Sequence, residues 1–363
     1  MNTQMKSEFL VSPFLVMFLV HGTQYGIGVL SYQRSLVKIV GNDAWISIIA
    51  TGIVIHFLIW ILYSMLNKNK GDLISIHQQT FGKWLGNFLS TLYILFILSQ
   101  ATIVLRSYIE IVQVWMFPLL KTWPFALVIL LGVYYVVIGG FRVVTGVCFL
   151  AVVVPFYLIF TFFAPIEFSN FRNLLPVFDH SFIEMAESLK GVGFTFSGFE
   201  YVLFYYPFIK RPESSQKWAH FANLFTTALY LFIMVITLAY FEKEYLKTVI
   251  WPTLMMWKIV ELPFVERFEI IGVTSWAVVM MPIICVMFWA ASRAIKQLFK
   301  VKQRKSLVLL LFICFIVSCS LTNREKIQQF NDWITEIGFY IIFLYLPLLF
   351  ICFHIRYKVR GKS

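Results

Sequence analysis

The chain has 363 residues, of which 60% are apolar and 13% charged, and its mean hydropathy is +0.80. That composition excludes a soluble globular protein and predicts one all-α integral membrane domain over residues 1–363, with room for about ten spans of roughly 20 residues each. The net charge of +12 fits a solvated face beside anionic lipid, so no nucleic-acid partner is implied.

The polar start Met1–Glu8 passes directly into an apolar run with no small-residue cleavage site, which predicts a retained span and not a removed signal peptide. Spans are expected at 9–37, 43–66, 84–117, 122–140, 143–164, 187–209, 217–241, 264–298, 306–321 and 333–356. With the start inside, cytoplasmic stretches hold 18 of the 30 basic and 3 of the 18 acidic residues, whereas outer stretches hold 11 and 13. The densest inner clusters are Arg293, Lys296, Lys300, Lys302, Arg304 and Lys305, and then Arg356, Lys358, Arg360 and Lys362 at the C-terminus. By the positive-inside rule both termini are expected in the cytoplasm.

The first span carries Gly22-Thr23-Gln24-Tyr25-Gly26-Ile27-Gly28 at mid-depth. A glycine inside a helix costs about 1 kcal/mol relative to alanine, so such a run predicts a helix broken on purpose or a close helix-packing face. Unwound backbone is expected at about residues 22–27, with Gln24, Gly26, Ile27 and Gly28 at a small-solute site and His21 filling the gap.

In the third span Gln100 falls near mid-depth. Arg106 and Glu110, four apart, share a helix face and are expected to neutralise one another, as a structural clamp or a coupling pair.

The sixth span repeats the signal of the first with Gly191-Val192-Gly193-Phe194-Thr195-Phe196-Ser197-Gly198. A break at 194–198 puts Phe196, Ser197 and Gly198 at the same site. The half-helix starting at Gly26–Gly28 would offer N–H groups and that ending near Phe194–Thr195 carbonyls, a pair of ends suited to a zwitterion. Glu200, just past the break, either takes the orphan N–H groups of the resumed helix or serves ligand or proton coupling.

In the eighth span Pro282 must bend the helix, and Met280 and Ile283 are expected as apolar pocket walls. Its hydroxyls, Thr274, Ser275 and Ser292, avoid mid-depth, which gives sodium coupling little support. With apolar walls and Glu200 as the single charge beside the breaks, a small neutral amino acid is the expected ligand.

The five cysteines, Cys148, Cys285, Cys314, Cys319 and Cys352, lie in apolar spans and read as buried hydrophobes; only Cys314 and Cys319 have metal spacing, five apart on a helix with no histidine nearby, and the histidines are scattered, so no metal is expected. No phosphate loop, nucleophile elbow or carboxylate pair points to an enzyme or a cofactor.

Ten spans with breaks in the first and sixth resemble the LeuT-like inverted five-plus-five repeat of the amino acid–polyamine–organocation superfamily, with repeats at about 9–164 and 187–356. More narrowly, the chain resembles the B subunits of endospore germinant receptors. The residues behind this are Gly26-Ile27-Gly28-Val29-Leu30 with Arg34, Gly82-Lys83-Trp84-Leu85-Gly86, Arg106 with Glu110, and Asn173-Leu174-Leu175-Pro176-Val177. The likeness continues through Phe196-Ser197-Gly198-Phe199-Glu200, Val249-Ile250-Trp251-Pro252-Thr253 and Val265-Glu266-Arg267-Phe268-Glu269. Tyr32-Gln33 departs from it, standing where a leucine and a proline are expected. The resemblance implies a nutrient-sensing subunit in the inner membrane of a dormant spore, acting with an A subunit and a lipoprotein C subunit. A proton-coupled amino-acid permease is the alternative, because both would bind a small solute in the same pocket.

Overall fold

A computed structural model describes residues 7–263 and 265–360. The polar start as far as residue 6, Phe264 as the expected first residue of the eighth span, and Lys362 of the C-terminal cluster lie outside the described residues.

Every named element among the described residues is helical. In hydrocarbon each backbone N–H and C=O must find its partner inside the protein, and a helix does this within one segment. Seven helical stretches are long and apolar enough to cross a membrane by length and composition: Tyr32–Asn69, which joins the end of the first segment (Tyr32–Val40) to the second (Ala44–Asn69), Lys83–Trp115, Phe141–Phe168, Pro212–Tyr240, Phe268–Phe299, Gln303–Ser320 and Arg324–Val359. The other expected places are taken by a shorter apolar helix, Thr122–Ile138, and by two interrupted segments. The first segment is built of Val16–Gln24, Ile27–Leu30 and Tyr32–Val40, and the sixth of Phe182–Gly193, Phe194–Phe196, Phe199–Tyr201, Val202–Tyr205 and Tyr206–Phe208. The tenth segment begins at Arg324, nine residues before the expected 333. Its first turns, Arg324–Phe339, are amphipathic, and a hydropathy reading passes over them.

The two interrupted segments run side by side. At one end Val11 exchanges backbone bonds with the end of the sixth segment, Val11 N to Phe208 O at 2.8 Å and Lys210 N to Val11 O at 2.8 Å. At the other end Tyr32–Val40 packs along Phe182–Gly193. There the buried Asp43 carboxylate accepts the backbone N–H groups of Phe178 (2.7 Å), Asp179 (2.9 Å) and His180 (3.2 Å), tying the loop ahead of the sixth segment to the turn after the first. The seventh segment, Gln216–Tyr240, covers Val16–Gln24 on one side, while the eighth, Phe268–Phe299, lies against the third, Lys83–Trp115. Pro282 sits inside that eighth helix without ending it.

Candidate functional site between two interrupted helices

The first segment stays helical through Gln24, then turns at Tyr25 and Gly26. Unwinding therefore starts three residues later than expected. The Thr23 hydroxyl lies 2.7 Å from Leu19 O, and His21 Nδ1 is 2.8 Å from Thr226 Oγ1, so this turn is held from both sides and His21 fills no gap. Beyond the bend the chain makes a four-residue 3-10 turn, Ile27–Leu30, and α-helix returns at Tyr32. The N–H end expected at Gly26–Gly28 is consequently short, and few aligned peptide dipoles stand behind it.

The sixth segment breaks where the sequence indicates. Phe194–Phe196 is a 3-10 turn, Ser197 is extended, and Gly198 takes φ +131°, a conformation open to glycine and strained for other residues. The carboxylate of Glu200 serves this corner, accepting from Gly198 N at 2.6 Å and from Ser197 Oγ at 2.7 Å. Of the two roles open for Glu200, the structure brings it to the orphan donors of the break. Gln100 reaches in from the third segment, its amide nitrogen donating to Ser197 Oγ (3.2 Å) and its oxygen accepting from Tyr201 OH (2.8 Å).

Carbonyls at the sixth break are also occupied. Gln24 Nε2 donates to Phe196 O at 3.1 Å, and the Tyr230 hydroxyl stands 2.9 Å from Gln24 O and 3.3 Å from Thr195 O. The carbonyl end expected to face a ligand cation is thus largely met by the protein's own amide and hydroxyl. On the seventh segment Tyr230 does this, while Asn223 and Thr226 hold the Gln24 side chain, Gln24 Nε2 donating to Asn223 Oδ1 at 3.3 Å and Thr226 Oγ1 donating to Gln24 Oε1 at 3.1 Å; all three were missed in the sequence. Asn223, Thr226, Thr227 and Tyr230 recur at helical spacing, a polar stripe in an apolar span that could have pointed to the site.

A cavity of about 340 Å³ opens between the breaks. Of the expected site residues Gln24, Gly26, Ile27, Gly28, Gln100, Ser197 and Ile283 line it. Phe196, Gly198 and Met280 do not. The Phe196 ring packs on Tyr230 with centroids 4.8 Å apart, Gly198 is pressed against Thr23, and Met280 is buried a turn away from Ile283, so Met287 forms the wall instead.

Charge is richer at the cavity than expected. Glu110, Arg34, Arg324 and Asp332 all line it, which corrects the view that Glu200 is the single charge near the breaks. Glu110 does not pair with Arg106: its carboxylate takes Arg324 Nη1 at 2.7 Å, while Arg106 Nε donates to Leu321 O at 2.8 Å. Arg324 reaches Glu110 because the tenth helix starts early. Its other nitrogen bonds Gln328 Oε1 (3.1 Å), Gln328 Nε2 bonds Asp332 Oδ1 (2.7 Å), and the guanidinium lies 5.3 Å from the centre of the Trp251 ring. Nothing but the early helix start could have revealed this ladder in the sequence.

The pattern, two interrupted helices flanking a cavity within a helical membrane bundle, is that of the LeuT-like transporters. The fold is shared with a Na⁺-coupled sialic acid symporter solved substrate-bound and outward-open (TM-score 0.66, 13% identity, 98% of this chain and 82% of that one). It is likewise shared with MhsT in complex with L-phenylalanine (TM-score 0.63, 12% identity, 95% and 88%). Residues 10–327 match the family described as spore germination protein. Spore germination protein GerQB of Bacillus cereus is 44% identical over 98% of this chain and 99% of its own. Spore germination protein A2 of Bacillus subtilis is 26% identical over 99% and 100%. The chain belongs to the spore germination protein family.

Proposed function

We propose that this multi-pass membrane protein is the solute-sensing B subunit of a spore germinant receptor. The observation that carries the reading is the convergence of Gly26 and Gly28 from one break, Ser197 from the other and Gln100 from the third segment on one cavity, in a chain of this family. A small neutral amino acid or similar nutrient binds there, with Ile27, Ile283 and Met287 as apolar wall and the shortened N–H end near Gly28 toward its carboxylate. Binding shifts the subunit between closed and open states and is passed to an A subunit and a lipoprotein C subunit in the inner spore membrane. The excess of Lys and Arg on one side supports cytoplasmic termini and ten crossings.

The direct test pairs a deletion strain with the purified protein. Loss of nutrient-triggered germination, together with calorimetric binding of an alanine- or valine-sized amino acid in preference to arginine or glutamate, is the expected outcome. The shared fold of solute symporters favours a second reading, a proton-coupled permease. Uptake of radiolabelled amino acid by vesicles holding this chain alone, with germination intact in the deletion strain, would replace the first reading with the second.

A further inference from the structure

The carbonyls that an ammonium group would seek at the two breaks are already taken. Gln24 O and Thr195 O are met by the Tyr230 hydroxyl, Phe196 O by the Gln24 amide and Gly198 O by the Thr23 hydroxyl. An amino acid seated in the cavity would still lack a partner for its positive end. Three carboxyl groups compete for that role. Glu110 is paired with Arg324 at 2.7 Å. Asp332 is exposed on the tenth segment, about two turns beyond Arg324, and bonded to Gln328. Glu200 is fully buried beside the sixth break, and among the described residues it has no ion-pair partner.

Holding the corner at Gly198 needs no charge, since a glutamine oxygen would accept that N–H as well. What the carboxyl adds is charge, and a charge inside an apolar bundle is costly unless something answers it. The ionisable side chains around it, Tyr93 of the third segment and Tyr201 and Tyr205 of its own, bring no cation. Ser197 carries the contact from Glu200 to the cavity, whose wall it forms. A hydroxyl has one hydrogen and two lone pairs. With the hydrogen on the 2.7 Å contact to Glu200 and Gln100 Nε2 at 3.2 Å on one lone pair, the other is left for a donor in the cavity. The Ser197–Glu200 contact holds with the hydrogen on either oxygen, and the backbone N–H of Gly198, at 2.6 Å, orients the carboxyl whichever way the Gln100 amide is turned.

We propose that Ser197 and Glu200 together form the receptor for the ammonium group of the nutrient: Ser197 Oγ accepts from it directly, and Glu200, one hydroxyl behind the cavity wall, supplies the countercharge. A cation at Ser197 gains in either state of Glu200, because a bare carboxylate receives its counterion and a protonated one can release its proton to solvent. Ser197 is then the residue that touches the ligand, and Glu200 a positioning residue that acts through it. The proposal rests on the reading of the cavity as an amino-acid site and makes a positive amine the group that the site selects.

The test compares L-alanine with L-lactate, which carries a hydroxyl where alanine carries its ammonium. Alanine binding to the purified full-length chain is measured by calorimetry, and lactate binding by competition against it. The wild-type chain should prefer alanine. Glu200→Gln, which keeps an acceptor for Gly198 N, should narrow that preference roughly thirtyfold while lactate binding stays within about threefold. Ser197→Ala should narrow it as well, and Ser197→Thr, which keeps the hydroxyl, should restore most of it. Should Glu200→Gln fail to accumulate, Ser197→Ala decides the matter, since it leaves the Glu200–Gly198 bond in place. An unchanged alanine-to-lactate preference in these variants would overturn the proposal, as would a preference that collapses in Asp332→Asn or Glu110→Gln instead. Either result leaves the amino-acid site standing, whereas binding of neither alanine nor valine would remove the site and its ammonium receptor together.

Discussion

At the sixth-segment break the backbone groups freed by the turn go to the protein: Glu200 takes the Gly198 N–H, Gln24 takes the Phe196 carbonyl, and Thr23 Oγ1 lies 3.1 Å from Gly198 O. At the first-segment break Gly26, Ile27 and Gly28 look into the cavity, with only a short 3-10 turn behind them. One interruption is a corner, closed on itself; the other is an opening. Glycine in a spanning helix can therefore mean two things, and the neighbours of the missing Cβ separate them.

The sharpest way to break that comparison is Gly198→Val. A Cβ there lies 2.6 Å from the Thr23 carbonyl carbon at φ +131°, backbone against backbone, so the cost should be about 3 kcal/mol or more and the folded protein should be lost from membranes on immunoblots. Normal levels with a blunted nutrient response would place Gly198 itself, beside Ser197, at the pocket.

Next in size is Arg324→Ala, which leaves the Glu110 carboxylate without its cation. Because the Arg324 side chain is 40% exposed, water tempers the penalty to about 1–2 kcal/mol, visible as a lowered midpoint of thermal unfolding in detergent. Arg106→Ala removes a hydrogen bond to a carbonyl and leaves Glu110 paired, so its midpoint should fall less; the reverse order would reinstate an Arg106–Glu110 clamp.

Gly26→Ala should behave unlike Gly198→Val. Its Cβ meets only the mobile tip of Ile283, at 2.8 Å, so the protein should accumulate normally while the germination dose curve moves by roughly tenfold, an affinity loss near 1.4 kcal/mol. Ile283→Val in the same chain should recover part of the shift. Smallest of all, Gln100→Ala should move the dose curve about fivefold through the lost bonds to Ser197 and Tyr201.

The spacing of glycines was enough to find both breaks, since a conformational requirement of the backbone leaves its mark in residue type. Depth followed from counting residues at a fixed rise, and failed by one turn in the first segment because the Thr23 and His21 side chains, bonded to groups far apart in sequence, keep that turn wound. Rotation was less legible. Met280 and Ile283 are equally apolar, and which of them meets the cavity is decided by the packing of the eighth helix on the third. The Arg324–Gln328–Asp332 ladder escaped notice because a polar helix end looks like a loop when hydropathy is the only guide. The stripe of Asn223, Thr226 and Tyr230 was visible, yet polar residues spread over one helix carry less contrast than a cluster of glycines.

One side chain bears on how this molecule can breathe. The Tyr230 hydroxyl is shared between Gln24 O of the first segment and Thr195 O of the sixth, and Tyr32, from beyond the first break, donates its own hydroxyl to the Tyr230 carbonyl at 2.6 Å. The seventh segment is stitched to both interruptions at a single residue. Neither break can straighten while the other stays bent without giving up that shared proton, so the two should open as one cooperative unit. Amide hydrogen exchange around residues 24–31 and 194–201 should then rise and fall together, with Tyr230→Phe loosening that coupling and leaving the direct bonds from Gln24 to Phe196 O and from Thr23 to Gly198 O to carry the rest.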